Sequence, residues 1–197
     1  MRIPGRHPTI LVPGFAGGTM PFRPFRDELR ARGVDADGWE RAPVLYRRPI
    51  AWYAARLAAS IRARPDDGLT LVGWSMGGFV SVAAALDTTV WRRVRRIITF
   101  GTPWNGTWAA RLGLLADPIL RLNVREMRPG SPVVHDLVDA LHGPRPWDFH
   151  AVNGTLDLLA RAPMRRLRPE WCHTGPWWHR SLLWDSNLFD LIHRLIT

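Results

Sequence analysis

The chain has 197 residues, 46% apolar and 22% charged, which fits one compact domain with a full core and argues against disorder. All 27 basic residues are arginine and the net charge is +10, so lysine-dependent chemistry such as a P-loop or a Schiff base is excluded. A single cysteine, Cys172, excludes an internal disulfide and a cysteine zinc cage.

The first residues carry no apolar segment of the signal-peptide kind, and no run approaches the roughly 18 apolar residues of a membrane span. A soluble cytoplasmic protein is expected. The basic balance raises the question of nucleic acid, but the arginines are spread along the whole chain. Their tightest groups are Arg92, Arg93, Arg95 and Arg96, then Arg165, Arg166 and Arg168, each beside a candidate strand where solvated charge is expected. No helix-turn-helix, RNP or zinc-finger pattern accompanies them. No nucleic-acid partner is expected, and a functional basic patch would take an anionic lipid surface.

Short apolar runs alternate with longer amphipathic ones. Residues 9–12 are a short β-branched run closed by Pro13-Gly14, and 22–32 read as a helix stopped by Gly33. Residues 43–46 form a weak strand and 50–64 a helix ended by Pro65. A strand over 69–73, a helix over 76–86 and a strand over 97–101 follow. Between residues 102 and 147 there is one candidate helix, 131–141. Strands over 149–154 and 171–175 and a helix over 187–196 complete the chain. Strands separated by helices imply βαβ units and a parallel sheet with helices on both faces. A single α/β domain over 1–197 is expected, with 104–147 either a small cap or a helical segment between two strands.

Gly73-Trp74-Ser75-Met76-Gly77-Gly78 sits between a predicted strand and a predicted helix, the context that gives a G-x-S-x-G match its meaning. A serine at such a turn is held in a strained conformation that demands small residues two places before and after it. Gly73 and Gly77 fill those places. The hydroxyl then stands at a helix N-terminus, where the Met76 N–H is placed to donate to a developing oxyanion.

At this point the sequence resembles the α/β-hydrolase fold, specifically small bacterial esterases and lipases, over nearly its whole length. The run from Ile10 through Val12, Pro13, Gly14 and Phe15 to Gly18 is similar to the family's strand ending in His-Gly-x-Gly-Gly, with Pro13 in place of the usual His. The resemblance implies that the Phe15 amide is the second oxyanion donor. Gly101-Thr102-Pro103-Trp104-Asn105-Gly106 is similar to the family's Gly-Thr-Pro-x-x-Gly loop, and Met127 to Ser131 also looks lipase-like.

The fold implied by the resemblance is a minimal α/β hydrolase with about six mostly parallel strands and little or no lid. Its chain order is Ser, then acid, then His. Gly154-Thr155-Leu156-Asp157 resembles the family's Gly-x-x-Asp turn, which implies Asp157 as the acid. Asp148 precedes the same strand, at the wrong end of the sheet, and reads as a surface or capping residue. His179-Arg180-Ser181-Leu182-Leu183 resembles the family's His-x-Ser-Leu-Leu segment, with Trp178 where a Gly is usual. His179 is therefore favoured as the base over His173, which falls on the preceding strand. His150 lies inside a strand and His193 well into the last helix.

The expected activity is hydrolysis of small-molecule or lipid esters by Ser75, His179 and Asp157 through an acyl-enzyme. Trp74, Trp104, Trp108, Trp177 and Trp178 lie in or beside segments expected at the carboxyl ends of the strands, where indoles would wall an acyl pocket. At least half of the 11 tryptophans are expected in the core instead. His135, Asp136 and His142 lack metal-ligand spacing, and no cofactor or metal is expected. An acyltransferase or thioesterase using the same three residues, and a non-catalytic binding protein of this fold, are the alternatives.

Overall fold

The computed structural model describes residues 8–14, 22–39, 48–108, 110, 125–161, 164–179 and 181–197. Their framework is one sheet. Its strands are β1 (Thr9–Val12), β2 (Ala36–Gly38), β3 (Leu69–Trp74), β4 (Val94–Phe100), β5 (Asp148–Gly154) and β6 (Cys172–Gly175). All residues of β1 and β3 are buried. Strands covered on both faces bury continuous runs rather than alternating ones.

Every strand pairing is parallel, in the order β2-β1-β3-β4-β5-β6. The chain lays β2 on one side of β1, then returns to build the other strands on the opposite side. The direction of growth thus reverses between β1 and β3, and open parallel sheets form a ligand crevice at the carboxyl ends of such a pair.

One strand of the sheet is not among the predicted elements. The edge beside β1 is Ala36–Gly38, a run with no intrinsic strand preference that pairs through Thr9, Ile10 and Leu11. The expected strand at residues 43–46 lies outside the described residues.

Helices cover both faces. Alternate residues of a strand point to opposite sides, so Leu11 joins one core cluster while Ile10 and Val12 join the other. On the first face lie α2 (Ile50–Arg62), α3 (Met76–Ala85) and α4 (Pro132–His142). Helix α2 buries Ile50, Tyr53, Ala54, Leu57, Ala58 and Ile61, the spacing of one helical stripe. Helix α4 lies inside the 104–147 segment and buries Val134, Leu137, Val138 and Leu141 in that same cluster. On the second face lie α1 (Arg23–Ala31) and α5 (Ser186–Ile196), the latter started by the Asp185 carboxylate accepting from the Asn187 and Leu188 N–H groups.

The arginines around β4 are not plain solvated charges. Arg93 donates to the carbonyls of Ile61 (2.9 Å), Arg62 (3.1 Å), Arg64 (2.6 Å) and Asp66 (2.6 Å), so one guanidinium closes the C-terminus of α2. Arg95 donates to the Ile196 carbonyl at 2.8 Å and Arg96 to that of Leu195, at the end of α5. The last carbonyls of a helix have no partner within it and carry partial negative charge, which is why a forked cation settles there. Among the described residues, no helix is long and apolar enough to cross a membrane.

Candidate active site

Ser75 occupies the turn between β3 and α3 with φ 53° and ψ −123°, and among the described residues it is the one non-glycine with positive φ. Such a conformation costs about 1–3 kcal/mol and persists only when its surroundings overdetermine it. Here the Ser75 N–H donates to the Phe100 carbonyl at 2.9 Å, and its own carbonyl accepts from Thr102 Oγ1 (2.9 Å) and the Gly78 N–H (3.1 Å). Glycine at 77 is forced by space rather than by torsion, because a Cβ there would lie 2.2 Å from the Val12 carbonyl oxygen. The end of β1 is thereby pressed against the start of α3.

Ser75 is partly exposed while Trp74 and Met76 on either side of it are buried. The Met76 N–H opens α3 and has no acceptor within the helix. Gly14 lies against the serine, since a Cβ on it would meet Ser75 Cβ at 2.8 Å. Phe15, the next residue and the expected second oxyanion donor, lies outside the described residues.

His179 and Asp157 are brought to the serine from two loops. Asp157 follows β5 and is completely buried, yet each carboxylate oxygen has partners. Oδ1 accepts from the N–H groups of Leu159 (2.8 Å) and Ala160 (2.9 Å), and Oδ2 stands 2.8 Å from His179 Nδ1. With Nδ1–H donating to that carboxylate, Nε2 presents a lone pair toward Ser75 Oγ, 3.2 Å away. The imidazole also lies against the Trp74 indole, with ring centroids 5.5 Å apart. A nucleophile, a base in reach of it and a buried acid orienting the base are the parts of an acyl-transfer site.

The other titratable candidates lie elsewhere. His173 is on β6, where its Nε2 pairs with His150 Nδ1 on β5 at 3.2 Å. Burial and the neighbouring His173 push the His150 pKa down to about 4, and burial lowers that of His173 too. Asp148 begins β5 at the opposite end of the strand from Asp157. Among the described residues, no group of three or more His, Cys, Asp or Glu side chains gathers as a metal site.

The tryptophans divide. Trp104 is fully buried, donates to Thr99 Oγ1 at 3.2 Å and stands edge-on to Phe79 and Phe149. It is a core residue, which corrects its place in the expected pocket wall. Trp74 and Trp177 are nearly buried, whereas Trp108 and Trp178 are more than half exposed. The segment that follows β5 adds exposed Leu156, Leu158 and Leu159.

Sequence reasoning missed two residues that hold the site together. Thr102 supports the serine carbonyl, and the Asn153 side-chain amide donates to the carbonyls of Thr102 (3.0 Å) and Ala160 (2.8 Å). A closed circuit of hydrogen bonds results: Ser75, Thr102, Asn153, Ala160, Asp157, His179 and back to Ser75. An available signal was Gly78, where a Cβ would fall 2.1 Å from Thr102 Oγ1.

No protein-family model and no curated protein matches the chain. Solved structures do. The mature form of a Bacillus licheniformis lipase superposes with a TM-score of 0.78 at 21% identity, over 100% of this chain and 94% of that one. Lipase B of Aspergillus fumigatus gives 0.69 at 16% identity, over 96% of this chain but 52% of the fungal one. An α/β hydrolase from the metagenome of sediments of the Mar Chica lagoon, Morocco, gives 0.68 at 15% identity, over 96% and 90%. With its parallel sheet, its strained serine turn after β3 and these likenesses, the chain has the α/β-hydrolase fold.

Proposed function

We propose that the chain is a serine hydrolase of carboxylic esters. The observation that carries this reading is the alignment of Ser75 Oγ, His179 and the buried Asp157 at 3.2 and 2.8 Å, at the carboxyl ends of the strands. Ser75 Oγ attacks the ester carbonyl carbon as His179 Nε2 takes its proton, and Asp157 stabilises the resulting imidazolium. The Met76 N–H, joined on the family's pattern by that of Phe15, binds the oxyanion, each such donor being worth about 3 kcal/mol. His179 then gives its proton to the leaving alcohol oxygen, and a water molecule repeats the steps on the acyl-enzyme. The lipases among the structural neighbours support a small-molecule or lipid ester as substrate.

An organophosphonate is expected to label Ser75 stoichiometrically. Ser75→Ala removes p-nitrophenyl ester hydrolysis, with a loss of about 10⁴-fold or more. His179→Ala falls by orders of magnitude while His173→Ala stays near wild type. Wild-type rates in the alanine variant at position 75 would refute the assignment, and the reverse result for the two histidines would move the base to His173.

A further inference from the structure

A cavity of the described residues lies away from Ser75. It lies at the other end of the sheet, where β4 and β5 begin, with a volume of about 640 Å³. That is within the range of small-molecule sites. Its wall joins the two arginine groups of the sequence: Arg96 from the first, Arg168 from the second, and Arg145 between them, with Trp147, Trp171 and Asp148.

The charge there is unbalanced. Among the residues lining the cavity, three guanidinium groups face one carboxylate, Asp148, which Arg96 holds at 3.2 Å and which is itself largely exposed. Two positive charges are left over, the charge of a phosphate monoester dianion. Donors exceed acceptors as well. Trp147 is 97% buried by its relative exposure of 3%, and its indole N–H has no acceptor among the described residues. The same holds for Nε of Arg96 and of Arg145. The ring nitrogens of His142 are already engaged, one by the Arg166 carbonyl and one by Arg168 Nε.

The guanidinium planes are held in place. Arg145 lies over Trp171 (4.4 Å) and Trp147 (5.4 Å) and donates to the Leu141 carbonyl, while Arg168 covers Trp171 at 5.0 Å. Stacking fixes the fork of each arginine before any ligand arrives, and planar forks match phosphate and carboxylate oxygens in pairs. Burial and the Arg168 charge both act against the Arg145 cation, which an arriving anion would relieve.

We propose that this basin binds a phosphoryl group, carried either by a soluble phosphorylated small molecule or by the headgroup of an anionic phospholipid. Arg145 and Arg168 are the residues that hold it, and Asp148 is the internal competitor that the ligand displaces. The site is separate from the ester-cleaving one, at the far end of the same strands, and does not depend on its assignment.

The test is thermal unfolding and calorimetric titration of the full chain with inorganic phosphate and with glycerol 3-phosphate. Chloride at matched ionic strength is the control. A ligand that binds only the folded state raises Tm in a saturable way. Arg145→Gln together with Arg168→Gln should weaken binding about tenfold or more, and Asp148→Asn should tighten it several-fold. A gain from Asp148→Asn is an outcome that misfolding cannot imitate.

Sedimentation with phosphatidylcholine vesicles, with and without phosphatidylglycerol, in a Ser75→Ala background separates the sources. Retention only with the anionic lipid identifies a headgroup site, and a response to glycerol 3-phosphate without retention identifies a soluble ligand. Both basin variants should hydrolyse p-nitrophenyl esters at the wild-type rate. Equal responses to chloride and phosphate would overturn the proposal. So would unchanged affinity in the folded double variant, or no gain from Asp148→Asn.

Discussion

The two ends of β5 solve opposite problems with the same types of residue. At its carboxyl end, buried Asp157 has every oxygen matched: two backbone N–H groups on one, an imidazole on the other. At its amino end, Asp148 is exposed and faces more cation than it can neutralise. The first arrangement holds one geometry because no partner is missing. The second is donor-rich and ready for an external anion. A carboxylate's role is thus set by which of its neighbours are already satisfied, more than by its own burial.

The comparison is broken most directly by exchanging each carboxylate for its amide. Asp157→Asn should cost about 10⁴-fold in kcat with KM little changed, as expected for loss of the correct imidazole tautomer. Asp148→Asn should leave ester hydrolysis within a factor of about two, since it touches neither the serine nor the base. Steady-state kinetics on one p-nitrophenyl ester reads both. Comparable losses at the two positions would mean that the ends are not independent.

The next effect is on stability. Gly77→Ala forces a methyl group against the Val12 and Pro13 carbonyls, so β1 and α3 must part. A loss of about 2 kcal/mol or more in urea unfolding is expected, with activity falling in the fraction that remains folded. Asn153→Ala cuts the hydrogen-bonded circuit without touching the reacting atoms, and its kcat should fall about tenfold with KM nearly constant. Rescue by Asn153→Gln is not expected, because the longer side chain shifts the amide away from the Thr102 and Ala160 carbonyls.

A further expected effect is a pH dependence at the amino end of the strands. Folded His150 titrates near 4 instead of 6.5, so as pH falls the unfolded chain takes up this proton first. Its contribution to stability is complete above about pH 6.5 and is lost progressively down to about pH 4. Urea midpoints measured across that window should fall less steeply in His150→Gln than in wild type. A parallel pair of curves would remove His150 from the account.

Much of this fold was readable because its elements agree locally and globally. Continuous apolar runs gave β1, β3 and the buried part of β4, and the 3.6-residue stripe gave α2. Strand β2 was not readable. Ala36, Asp37 and Gly38 become a strand only because β1 offers them an unpaired edge, a tertiary effect absent from the local sequence.

At the candidate site, Ser75, Asp157 and His179 were found through motif and chain order, and the structure places them within hydrogen-bond reach of one another. The residues that brace them were not found. Asn153 and Thr102 act through carbonyl groups, and a carbonyl leaves no trace in residue identity. Trp104 was misplaced for a related reason: its indole partner, Thr99, lies on β4, and only the folded loop turns the ring inward.

The hydrogen bond between His179 and Ser75 joins positions 104 residues apart in the chain. Ribosomes add roughly 5–20 residues per second, so the serine exists for roughly 5–20 s before His179 is synthesised. During that interval a nascent chain can carry the strained turn but nothing to draw off the hydroxyl proton. Under the proposed function, the serine lacks its base throughout that interval. The candidate site is therefore completed only by the last strand and the loop that follows it.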